Sequence, residues 1–184
     1  MIAAMGAVNR LFGCVMAAGM LALAGVARAE NMSFPQHTPN LSLPTIVAAP
    51  ANASFTATVN SASGAVTVTS GAVVLGASTA TTPTVRVACA GPPGNCKNTN
   101  YTIVIVGTGS VGGRPASISA MEISGFSGTG VSFVSTSGSG STLTVNVRGT
   151  ENSWSLSFKL GASILFSSGT STGNTTINYT ITAS

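Results

Sequence analysis

Trp154, Leu156, Phe158 and Leu160 alternate with Ser155, Ser157 and Lys159, so every large side chain falls on one face and every polar one on the other. A helix spreads such a period of two around its circumference, whereas an extended strand sorts it onto two faces. Two neighbouring stretches repeat the arrangement. Leu143, Val145 and Val147 alternate with Thr142, Thr144, Asn146 and Arg148. Ile177, Tyr179, Ile181 and Ala183 alternate with Thr176, Asn178, Thr180 and Thr182. Each reads as a strand with one face on a core and one in water. The pattern predicts that Trp154, Leu156, Phe158, Val145 and Ile181 point into one interior.

Working upstream, Phe55, Ala57 and Val59 make a candidate strand, followed by Val66 and Val68, then Val73 to Leu75. Val85, Val87 and Cys89 alternate with Thr84, Arg86 and Ala88. Residues 101–106 are almost continuously apolar, as expected of a strand covered on both faces or holding one face for a partner. Ile118, Val131 to Phe133 and Ile164 to Phe166 supply further short strands. Glycine- and serine-rich stretches at 107–110, 125–130, 135–141 and 167–174 read as the connections. No segment shows helical periodicity with caps. The expectation is an all-β fold, an antiparallel β-sandwich of immunoglobulin-like or pilin-like type.

Two other β architectures fit less well. A membrane barrel needs aromatic girdles and strands near ten residues, but aromatics are 5% of this chain and most of its apolar runs are shorter. A solenoid needs a fixed period. The Thr-x-Thr units at 56/58, 67/69, 142/144 and 180/182 are irregularly spaced, and threonine suits the wet face of any strand.

Residues 1–29 read as a cleaved secretory signal peptide. Arg10 precedes an apolar run from Leu11 to Ala27, and Ala27, Arg28 and Ala29 form a small-x-small site cut between Ala29 and Glu30. Cys14 sits before most of that apolar run, the wrong order for a lipidation signal. Removing the leader takes Arg10 and Arg28 with it, so the formal charge of +4 loses two arginines and becomes +2. Such a weak balance, without a lysine or arginine cluster, excludes nucleic acid as a partner, and no membrane span is left in the mature chain. Cys89 and Cys96 remain, and in an oxidising compartment they are expected to pair as a disulfide. A zinc site is the rival, but C-x6-C with one distant histidine, His37, matches its spacing poorly.

What remains has little to react with. There is no aspartate, one histidine, and three glutamates at 30, 122 and 151. Catalysis needs a nucleophile, a base and an orienting group together, so neither an enzyme nor a cofactor is expected. A glycosidase needs two carboxylates flanking a bond, and Glu122 and Glu151 are the core-region candidates, read more simply as solvated charges.

Residues 30–52 stand apart as an extended arm broken by Pro35, Pro39, Pro44 and Pro50, ahead of a sandwich domain at 53–184. Leu41, Leu43, Val47 and Ala49 lie on one side of that extended chain. The strip is a candidate donor strand for another subunit, added to the edge of its sheet. The strands from Phe55 onward look numerous enough to build a sandwich without the arm.

The stretches 64–69, 101–105, 157–162 and 171–181, with Gly173 leading into the last alternating strand, carry a resemblance. The chain from Gly64 to Ser184 resembles a secreted bacterial β-sandwich family known as a domain of unknown function, related in pattern to spore-coat-U and pilin-like proteins. The resemblance implies an exported, non-enzymatic structural or surface protein. On that reading it is a pilin-like or coat-like subunit joining copies of itself or a related surface subunit by strand addition. The alternative is a monomeric secreted adhesion or glycan-binding module. Either belongs in the periplasm, at the cell surface or outside the cell, and the family brings no catalytic residues.

Overall fold

The computed structural model describes residues 32–38, 40–48, 54–69, 71–91, 95–111, 116–167 and 175–184; of 32–38, 48, 110 and 111 it describes the backbone. The signal peptide, the Ala29/Glu30 junction and Ala49 lie outside these residues. Among the described residues there is no helix, and every strand pairing is antiparallel.

The alternating stretch that opens at Trp154 is the axis of the fold. It runs unbroken through β12 (Ser153–Phe166), placing Trp154, Leu156, Phe158, Leu160, Ala162, Ile164 and Phe166 in the core. Residues 153–159 of β12 pair with β7 (Thr84–Ala90), and residues 162–166 pair with β4 (Phe55–Val59). Along its other side β12 pairs with β9 (Ala116–Thr129) over most of its length. β1 (Met32–Thr38) flanks β7 and β5 (Val66–Val68) flanks β4, completing a six-stranded sheet. The second sheet has the order β10 (Val131–Ser139), β11 (Thr142–Gly149), β8 (Asn100–Val111), β13 (Thr176–Ala183) and β2 (Leu41–Ser42). A third, two-stranded sheet pairs β3 (Thr45–Ala48) with β6 (Ala72–Leu75).

The two larger sheets share one interior, as a sandwich requires. Tyr101 of β8 meets Trp154 of β12 with ring centroids 5.1 Å apart, and Phe55 stacks on Phe166 at 4.7 Å. Val145, Trp154, Leu156 and Phe158 are buried together as expected, while Ile181 packs against the cluster from a half-buried position. In β8, Tyr101, Ile103 and Ile105 are buried, and Val104 and Val106 are half-buried on the opposite face.

Three of the four expected connections prove to be strand. Residues 107–110 belong to β8, 125–129 to β9 and 135–139 to β10, and within the second and third of these stretches the chain reverses at Gly130 and at residues 140–141. Likewise Ile164 to Phe166 is the continuation of β12 and not a separate strand. The physical reason is clearest in β9, whose partner positions skip at Ser119 and again beside Gly125. Each β-bulge adds one residue and shifts the phase of the alternation. The residues opposite the inward row of β12 are therefore Ala116, Ile118, Met121, Ile123 and Gly128, with Phe126 packed on the core between the last two. Gly125 sits at φ 61°, the left-handed backbone that a bulge residue adopts at little cost when it is glycine.

The separate arm is also corrected. Strands begin at Met32, and residues 32–48 supply β1, β2 and β3 to this chain's own sheets. Leu41 and Leu43, at 1% and 2% exposure, are among the most buried side chains in the core. Pro44 separates β2 from β3; with no N–H it cannot continue a ladder, and the inward face changes there. Ile46 becomes buried, while Val47 turns to the half-exposed face opposite Val73. The strip expected to serve a neighbour is thus filled into the sandwich from within.

Two outcomes follow for stability, measured by denaturant unfolding. Phe158→Ala is expected to cost about 3–5 kcal/mol, and Lys159→Ala, exposed on the other face, no more than about 0.5 kcal/mol. A chain lacking residues 32–48 is expected to lose its cooperative transition, since the buried Leu41, Leu43 and Ile46 go with it; a folded truncation would show that the sandwich is complete without them.

Candidate functional site

The cysteines form the expected disulfide, with Cα atoms 6.0 Å apart. Cys89 ends the inward row of β7, and the loop carrying Cys96 folds back over the Trp154 end of the interior. The Tyr101 hydroxyl donates to the Asn95 carbonyl at 2.9 Å and lies 3.4 Å from the Cys89 Sγ. The Asn98 N–H donates to the Gly149 carbonyl at 2.8 Å, and the Gly149 N–H to the Thr99 carbonyl at 3.0 Å. A Cβ on Gly149 would lie 1.9 Å from the Cys96 carbonyl oxygen and 2.9 Å from the Trp154 Nε1, so a side chain there would force the loop off the sheet. The corner is a closed structural unit. Both cysteines are buried, and as a disulfide they offer no thiolate to a metal.

Glu122 and Glu151 are not brought together. Glu122 Oε1 accepts the Ser61 N–H at 2.8 Å. It braces the turn between β4 and β5, where Asn60 Oδ1 accepts the N–H groups of Ala62 and Ser63, each at 3.0 Å. Lys159 Nζ donates to the Ala62 carbonyl of the same turn at 3.3 Å. Glu122 is therefore more than the solvated charge expected of it. Glu151 is exposed beside Gly130, at the far end of β9. At strand rise the two carboxylates are separated by more than about 20 Å, well outside the spacing of a glycosidase pair. Among the described residues, no group of three or more His, Cys, Asp and Glu side chains is gathered as a metal site. His37 falls in β1.

A different pair of polar residues, Asn40 and Tyr179, proves decisive for the N-terminal segment. Asn40 Nδ2 donates to Asn178 Oδ1 at 2.8 Å, and the Leu41 N–H donates to the buried Tyr179 hydroxyl. These contacts turn the chain out of the second sheet toward β1 in the first. Tyr179 was legible as a core position from its place in the alternating row, but its hydroxyl partner was not, being 138 residues away in sequence. Burial raises the Tyr179 phenol above its ordinary value of 10, against a smaller lowering from the Leu41 hydrogen bond.

Among the described residues, the outer faces of the two larger sheets offer surfaces for recognition. On the outer face of the second sheet, Ser139, Thr142, Val106 and Thr180 align across the strands, as do Ser137, Thr144, Val104 and Thr182. These two rows form an uncharged patch of hydroxyls and methyls, and Asn146 and the exposed Arg148 continue the same face along β11. On the outer face of the first sheet, a shallow groove of about 340 Å³ is lined by Arg86, Ala88, Ser127, Thr129, Ser155 and Ser157, among others. No described helix is long and apolar enough to cross a membrane, which together with the disulfide is compatible with an exported protein.

Set against known proteins, the chain matches no family model, no curated protein and no solved structure.

Tyr179→Phe is expected to cost about 1–3 kcal/mol, since the Leu41 N–H is left buried without its acceptor. It should also remove an alkaline dependence. The folded state holds the phenol neutral while the unfolded chain ionises near 10, so wild-type stability falls as pH rises past that value. Denaturant unfolding from pH 8 to 11 checks both; an unchanged alkaline slope in the variant would place the phenol in water.

Proposed function

We propose that the chain is an exported, non-enzymatic structural or surface protein, a pilin-like or coat-like subunit that joins copies of itself or a related surface subunit by β-strand addition. The observation that carries this reading is the unfinished edge of the second sheet. Among the described residues, β2 pairs with β13 at Thr176 and Ile177 and no other strand flanks that side, so the rest of β13 has a described strand on one side alone. An extended segment can extend such an edge through main-chain hydrogen bonds. The side chains able to support catalysis are meanwhile engaged structurally or far apart. The Leu41 and Leu43 strip occupies its own sandwich, so assembly is assigned to this open edge and not to the arm. The pattern resemblance to coat and pilin-like domains points the same way.

A second reading has its own support. The hydroxyl rows on the outer face of the second sheet, with the groove beside Arg86 on the first, suit a monomeric module that recognises neutral polysaccharide. The two readings separate on the size of the protein recovered from the cell exterior. Multimers whose subunits begin at Glu30 are expected for an exported subunit. A protein that stays monomeric at all concentrations and is retained on a polysaccharide column would favour the module, and recovery only inside the cell would contradict both.

A further inference from the structure

The strand edges of this fold are not equally guarded. An exposed edge invites pairing with other chains, and proteins blunt it with proline, charge, bulges or brevity. β1 carries Pro35 inside a register shift between Ser33 and Gln36. β9 has two bulges and Glu122, and β10 has a bulge between Phe133 and Ser135. β5 spans three residues, with its Val66 N–H taken by the Ser78 carbonyl, and β3 and β6 span four each. The outer edge of β13 beyond Ile177 has none of these devices. Residues 178–184 include no proline and no charged side chain. The extra residue in its pairing with β8 lies on β8, at Thr108.

The backbone of that edge has a definite polarity. Ser184 and Thr102 exchange both hydrogen bonds, at 2.9 and 3.1 Å, so residues 180, 182 and 184 direct their N–H and C=O groups toward β8. By the alternation of an antiparallel ladder, Tyr179, Ile181 and Ala183 direct theirs outward. β2 cannot cover them, because the Asn40–Asn178 and Leu41–Tyr179 contacts turn its chain away one residue short.

Resting on the strand-addition reading, we propose that this edge pairs with itself. Residues 178–184 of one copy lie antiparallel to residues 178–184 of a second, with the two-fold axis at Ile181. That register follows from the edge itself: Ile177 is the last residue held by β2 and Ala183 the last of β13, so the outward-directed Tyr179, Ile181 and Ala183 centre on Ile181. Tyr179 then faces Ala183 of the second copy, and Ile181 faces its counterpart. The three outward residues exchange about six main-chain hydrogen bonds across the axis. Thr180 and Thr182 meet as cross-strand pairs on the outer face, a favourable match, while the half-buried Ile181 and Ala183 extend the apolar row inside. With no charged side chain on the segment, two copies meet without side-chain repulsion, and the edge offers no side chain to a charged partner. The five-stranded sheets of two molecules become one continuous sheet.

The test uses the intact protein. Light scattering over a concentration series is expected to show a reversible dimer. Ile181→Pro and, as the milder change near the strand end, Ala183→Pro remove an outward N–H without touching the β8 ladder. Each is expected to weaken dimerisation by about tenfold or more; Ala183→Pro keeps the thermal transition of the monomer, while Ile181→Pro also lowers it because that side chain packs on the core. The register is read by oxidation of mixed variants. Thr180→Cys with Thr182→Cys should cross-link, because opposed non-hydrogen-bonded positions lie about 4.5 Å apart, within disulfide reach; Thr180→Cys alone should not. Dimers that survive both proline variants, or that cross-link through Thr180→Cys alone, overturn the self-pairing while leaving assembly through another edge intact. Cross-links joining Thr180→Cys to a different polypeptide overturn it in favour of a foreign strand. A wild-type protein monomeric at every concentration overturns both this inference and the strand-addition reading.

Discussion

Everything in this molecule depends on one apolar row. The inner face of β12 runs from Trp154 to Phe166 without a break, and both flanking ladders of the first sheet form on it. The chain has few other means of holding itself together. Its seven cationic and three anionic residues cannot build an ion-pair network, and most of its remaining surface is serine, threonine and glycine. Burial of a limited set of large side chains therefore has to supply the driving force. Strands β7 and β4 share the same side of β12 end to end, which lets one long strand organise two shorter ones.

A sandwich built this way has two lateral openings, and the chain closes each with a segment that passes from one sheet to the other. On one side the hairpin at Gly130 joins β9 of the first sheet to β10 of the second, with Phe126 and Phe133 in edge contact at 5.3 Å between them. On the opposite side the N-terminal segment runs from β1 in the first sheet to β2 in the second, held at the crossing by Asn178 and Tyr179. The disulfide closes the end of the interior between them, where Tyr101 and Trp154 need a lid. Closure on the N-terminal side is incomplete, because β2 is two residues long. The functional reading follows from that shortfall.

The all-β architecture was legible because the strands around Trp154, Val145 and Ile177 keep perfect phase. β9 was not, because its bulges convert a period of two into alternating steps of three and two, leaving Ile118, Met121, Ile123 and Phe126 without an obvious pattern. Serine- and glycine-rich strand ends were mistaken for turns for a related reason: an edge strand can lie over a sheet with little apolar content of its own. The disulfide was readable from two cysteines and the expectation of an oxidising compartment. The role of residues 32–48 was hidden by their prolines, which suggest a loose tail in sequence, whereas in the structure Pro35 sits in a register shift of β1 and Pro44 marks the change of partner from β13 to β6. Long-range polar contacts such as Tyr179 with Leu41 have no local signature at all.

The central claim is that the N-terminal segment is part of the chain's own core and leaves the outer edge of β13 open. Amide hydrogen exchange on the intact protein tests it most directly, since protection tracks the opening of individual hydrogen bonds. The Leu43 N–H, bonded to the Thr175 carbonyl at 2.9 Å, should be protected to the level of the β12 amides, while the Ile181 and Ala183 amides of the monomer exchange rapidly. A Leu43 amide that exchanges as fast as one in an unfolded chain, beside a fully protected β12, would contradict the account.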